Sequence, residues 1–109
     1  MRNRGDFSPE ERRTLSRLRQ LLVTPGLMRG NLVQMKRKCG KPNCRCADGK
    51  QLHVSWYISQ SREGKPRMLY IPADWEERVT GRVTKYQEVR KLLEQLSEIY
   101  WKELKQRGR

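Results

Sequence analysis

The chain has 109 residues, 35% of them apolar and 34% charged, and a formal net charge of +13. That length suits one domain with a modest core, for which a bound metal would compensate. The charge far exceeds what solubility needs and calls for a polyanionic partner, and no apolar run approaches the ~18 residues of a membrane span.

The basic residues are unevenly placed. Residues 1–24 carry six bases and three acids, residues 25–72 ten bases and two acids, and residues 73–109 nine bases and seven acids. The excess is therefore centred on the middle of the chain. In the last third, bases alternate with acids and read as an ordinary solvated face.

Residues 1–6 are charged and lack the apolar stretch of a signal peptide. A cytoplasmic location is expected, at the nucleoid if the partner is DNA. In that reducing compartment cysteines more often bind metal than pair. Ser8-Pro9-Glu10-Glu11 then signals a helix start: Ser8 can cap, Pro9 suits the first helical position, and Glu11 completes a capping box. Leu15, Leu18, Leu21 and Leu22 follow at helical spacing, and Thr24-Pro25-Gly26 closes the helix.

Asn31 to Lys38 alternates like a strand, with Val33 and Met35 on one side and Gln34 and Lys36 on the other. Residues 53–61 form the clearest strand. Val54, Trp56 and Ile58 face one way; His53, Ser55, Tyr57 and Ser59 face the other. Residues 62–66 read as a turn, and residues 67–71 as a third strand closed by Pro72.

The last third reads as helix, with Asp74 as its cap and Glu77 three residues on. Gly81 weakens it. Beyond Gly81 the apolar residues Tyr86, Val89, Leu93, Leu96 and Tyr100 recur at spacings of three and four, widened by Leu92, Ile99 and Leu104. Such a stripe suits the first helix, a second copy of the chain as a short coiled coil, or a transposase-type protein. Together these elements predict an α+β fold in one domain over 1–109. It comprises an N-terminal helix over 8–24, a small antiparallel sheet with a zinc loop over 31–72, and a long helix over 74–107.

Between the first two strands lies the segment Lys36-Arg37-Lys38-Cys39-Gly40-Lys41-Pro42-Asn43-Cys44-Arg45-Cys46-Ala47-Asp48-Gly49-Lys50-Gln51-Leu52-His53. It holds every cysteine and the only histidine. Cys39, Cys44, Cys46 and His53 match a tetrahedral Cys3His zinc site in ligand type and number. Gly40, Pro42 and Gly49 supply the turns that bring near-neighbours in sequence onto one ion. Asp48 is the alternative fourth ligand. The spacing is not the common Cys-x2-Cys, so two other readings stand beside zinc: buried reduced thiols, and a reactive cysteine whose thiolate is favoured by Lys38, Lys41 and Arg45. A disulfide framework is disfavoured by the odd cysteine count and by the closeness of Cys44 to Cys46.

This Cys-Gly-Lys-Pro-x-Cys-x-Cys core, the later glycine and histidine, Gly64-Lys65 and Tyr70-Ile71-Pro72 are similar to a family of small bacterial and archaeal proteins of unassigned activity. Over roughly residues 30–105 the chain resembles that family, whose members are often encoded near transposases and other mobile elements. Members commonly have Gly-Pro-Tyr after the histidine, where this chain has Val54-Ser55-Trp56. The resemblance implies a setting, mobile DNA, and no mechanism.

The expected function is zinc-stabilised binding of nucleic acid, with DNA favoured over RNA. Lys36, Arg37, Lys38, Lys41, Arg45 and Lys50 are the candidate phosphate contacts. Arg45, set between two ligands, is the candidate for a base edge. Tyr57 and Tyr70 can stack on unpaired bases, although packing within the sheet is the stronger reading. The alternative is an adaptor or dimerisation subunit acting through the C-terminal helix, with RNA or partner-protein binding secondary. Catalysis is not expected. The acids fall mostly at helix caps and i,i+4 pairs, and four protein ligands leave zinc no open position.

Overall fold

The computed structural model describes residues 8–37 and 53–107, as helix α1 (Pro9–Val23), strands β1 (Asn31–Arg37), β2 (His53–Arg62) and β3 (Lys65–Ile71), and helix α2 (Glu76–Arg107). This is the expected α+β architecture. Two compact units divide it: residues 28–83 form one, and residues 1–27 with 84–109 form the other.

In the helical unit, α1 begins as its sequence dictates. Ser8 Oγ accepts from Glu11 N at 3.1 Å, and Pro9 fills the first turn, where its missing N–H costs nothing. Leu18 and Leu21 are buried and join Val89 and Leu96 of α2, with Leu15 and Leu92 packed against them. Leu22, expected on this stripe, is exposed. It shares the angular face of Leu15 and Leu18 but sits in the last turn, one residue before α1 ends at Val23.

Polar contacts align the two helices in opposite directions. Glu11 meets Tyr100 near one end, Arg17 meets Glu88, and Thr24 meets Lys85 near the other. Lys85 Nζ donates to Thr24 Oγ1 at 2.6 Å and to Thr24 O at 3.0 Å. A cation thus satisfies carbonyl and hydroxyl oxygens just past the end of α1, where the helix dipole favours positive charge. Arg17 grips Glu88 with two parallel bonds, Nε–Oε2 at 2.8 Å and Nη2–Oε1 at 3.2 Å. The hydrogen bond from Arg17 holds the Glu88 carboxyl below its ordinary pKa, and the same bond raises that of Arg17.

In the sheet unit, the three strands form an antiparallel meander in the order β1-β2-β3. Alternation puts Leu32, Trp56, Ile58 and Ile71 on one face, where Ile58 and Ile71 are buried with Val79 and Val83 from the first turns of α2. Gly30 is required beside this core. A Cβ there would sit 2.7 Å from Ile58 Cγ1 and 2.9 Å from the Ser59 carbonyl oxygen.

The turn between β2 and β3 is tighter than expected. Arg62 pairs with Lys65, so only Glu63 and Gly64 lie between them, with φ of 54° and 78°. Both values are left-handed, as the primed two-residue hairpin turns demand. Pro66 therefore belongs to β3 rather than to the turn, which is tolerable because β3 is an edge strand. Asp74 likewise falls inside a 3-10 turn, Ala73–Trp75, instead of capping α2. Helix α2 then runs unbroken through Gly81 for 32 residues. Among the described residues no helix is long and apolar enough to cross a membrane.

Candidate metal centre and nucleic-acid interface

The register of β1 and β2 defines the base of the candidate site. Pairing runs from Asn31↔Ser59 to Arg37↔His53. Residues 38–52 are therefore the connection at the Arg37/His53 end of an antiparallel pair. Cα atoms of directly opposed residues in such a pair are about 4.5–5.5 Å apart. His53 thus starts its strand directly across from the residue two before Cys39.

Cys39, Cys44, Cys46 and Asp48 lie outside the described residues, as do Lys38, Lys41, Arg45 and Lys50. Among the described residues no group of three or more His, Cys, Asp or Glu side chains could hold a metal. The donor set in and beside the connection is three thiols and an imidazole, soft and borderline ligands of the kind that fill a closed structural zinc site. Lys36 is exposed and pairs with Val54, next to the end of the strand pair.

The sheet face opposite the core carries Val33 and Met35 on β1, Ser55, Tyr57 and Ser59 on β2, and Met68 and Tyr70 on β3. None of these is acidic. Tyr57 and Tyr70 are a cross-strand pair whose rings meet edge to face, with centroids 5.6 Å apart at 69°. Packing within the sheet accounts for that contact. Tyr70 nevertheless keeps 57% of its surface exposed.

Arg29 and Arg67 form a polar network that the sequence did not single out. Arg29 Nη2 donates to the Ser61 carbonyl at 2.8 Å, and Arg67 Nε donates to Gln60 Oε1 at 2.7 Å. Gln60 Nε2 donates back to the Arg29 carbonyl. The only signal for it in the sequence was the local excess of bases over residues 25–72. Arg78 is also engaged, its guanidinium 4.2 Å from the centre of the Trp75 ring.

Residues 8–81, more than half of the chain, match the family model of a domain of unknown function, DUF6788. The chain belongs to the DUF6788 family. The match takes in α1, the whole sheet and the cysteine-bearing connection, and ends in the first turns of α2. No curated protein and no solved structure matches the chain. The matched residues include the Arg37/His53 pair, and the exposed stripe late in α2 lies beyond them.

Proposed function

We propose that this chain is a zinc-stabilised nucleic-acid-binding protein that takes DNA in preference to RNA, in the setting of mobile elements. The observation that carries the reading is the Arg37↔His53 pair closing the connection that bears all three cysteines. Zinc held by Cys39, Cys44, Cys46 and His53 would fix that connection, with Asp48 the substitute for the imidazole. Bound there, the ion supplies structure, because four protein ligands leave it no open position for chemistry.

The phosphate contacts are Lys36, Arg37, Lys38, Lys41, Arg45 and Lys50, six bases against the single acid Asp48 in the segment. Most would position the protein without reading sequence. Arg45 would be stiffened by the ligands on both sides and is the residue assigned to a guanine edge. A nucleoid location follows from that partner.

The test is a salt titration of binding to duplex DNA, with RNA of the same sequence as competitor. If about four of these bases neutralise phosphates, log K falls with log salt at a slope near −3.6. Replacing Lys36, Arg37 and Lys38 by glutamine flattens the slope by about three at most and weakens all sequences alike. The matched control removes Lys91, Lys102 and Arg107 from α2. Equal losses from the two triple variants would overturn the assignment to the metal-proximal segment.

A further inference from the structure

The second half of α2 has more apolar surface than α1 covers. Val89 and Leu96 are buried in the helical unit, yet Leu93 is 53% exposed, Tyr100 40%, Trp101 70% and Leu104 66%. With Leu96 and Ser97 they line an open hollow of about 450 Å³. At 100° per residue, Leu93, Ser97, Tyr100 and Leu104 fall within an arc of about 60°. This is one continuous apolar strip, of the kind that marks a docking surface.

We propose that this strip binds the same strip of a second copy of the chain, with the two α2 helices antiparallel. The strip has the symmetry that such a pairing needs. Its spacings, Leu93 to Ser97, Ser97 to Tyr100 and Tyr100 to Leu104, are four, three and four, and read the same in either direction. A two-fold axis between Ser97 and Tyr100 therefore sets Leu93 against Leu104 of the second copy, twice. The same axis sets each Tyr100 over the small Ser97 of the other chain, a large residue facing a small one as knobs-into-holes packing requires. The Tyr100 hydroxyl donates to Glu11 Oε2 at 2.8 Å, which fixes the side chain beside α1 while 40% of the residue stays exposed.

Charge supports the antiparallel direction. Glu94 and Lys105 flank the strip on the same side, near opposite ends. Antiparallel pairing brings Glu94 of each copy beside Lys105 of the other. Parallel pairing in register leaves the two about 16 Å apart at 1.5 Å per residue. The net charge of +13 on each copy opposes association, so the dimer is expected at physiological salt and above, where that repulsion is screened. DNA binding weakens over the same range, so the two properties separate experimentally. The dimer depends on neither zinc nor nucleic acid.

Sedimentation equilibrium of the full chain, with helicity monitored to confirm folding, tests this. The wild type should be a dimer, and Leu93→Glu and Leu104→Glu should be folded monomers, since both side chains are exposed in the single chain. Glu94→Lys and Lys105→Glu should each weaken the dimer roughly tenfold. Mixing these two variants should restore it, because each then offers the charge that the other lacks. A wild type that stays monomeric in high salt would overturn the proposal, as would leucine variants that dimerise as well as wild type. A mixture no tighter than the single variants would overturn the antiparallel assignment.

Discussion

The Tyr100 hydroxyl donates to Glu11 Oε2 at 2.8 Å across 89 positions of sequence, tying the start of α1 to the end of α2. Glu11 is 1% exposed, so the carboxylate depends on protein donors instead of water. Tyr100→Phe removes one such donor and keeps the ring. It should lower stability by about 1–3 kcal/mol, read by urea unfolding. A loss near zero would mean that the bond does not stabilise Glu11 in solution.

The Arg17–Glu88 pair gives the helical unit an acid-sensitive contact. Its hydrogen bonding lowers the folded-state pKa of Glu88 below the unfolded value. A depressed carboxylate contributes stability above the unfolded pKa, and that contribution is lost as pH falls through the folded one. Wild type should therefore melt above Glu88→Gln at neutral pH, with the gap closing in acid below the ordinary glutamate range. The gap should be small and shrink with salt, because both side chains are substantially exposed. A gap that widens in acid would contradict the assignment.

Two alanine substitutions at glycine should have opposite signs. Gly30→Ala drives a Cβ against Ile58 and the Ser59 carbonyl and should cost about 1–3 kcal/mol. Gly81→Ala meets nothing within 4 Å on an exposed helical position and should add about 0.4–1 kcal/mol. Thermal unfolding of the two variants beside wild type reads both signs at once.

Helix α1 was legible because its punctuation is local: Ser8-Pro9 at the start and Thr24-Pro25-Gly26 at the end leave no other boundary. The faces of β2 followed from alternation: Trp56 and Ile58 share a side as expected, and the structure makes that side the core face. The β2–β3 turn is shorter than the sequence suggests, because Pro66 reads as a breaker. Only the sheet order makes β3 an edge, where proline is allowed. The late α2 stripe was seen, but periodicity cannot divide an apolar arc between two partners. Val89 and Leu96 went to α1, while Leu93 and Leu104 stayed exposed. For the candidate site, the three cysteines and the histidine are read directly from the sequence, and the fold adds the pairing of Arg37 with His53. That pairing depends on strand register, which the ligand spacing does not encode.

The ligand assignment also ranks two substitutions. If zinc is bound as proposed, Cys44→Ser removes a thiolate ligand, whereas Asp48 or water would stand in for the imidazole lost in His53→Ala. Zinc affinity, measured by competition with a chelator, should fall further for Cys44→Ser. The reverse order would remove His53 from its secondary place among the ligands.

The most direct measurement is the zinc content per chain of protein purified under reducing conditions, taken together with its unfolding midpoint before and after chelation. Thiolate ligands make zinc binding part of the folding free energy and make it compete with protons. One zinc per chain is expected, with a midpoint that falls when the metal is removed and an affinity that declines in acid. A chain that carries no zinc and unfolds at the same midpoint with or without chelator would contradict the metal centre, and with it the role given to residues 38–53.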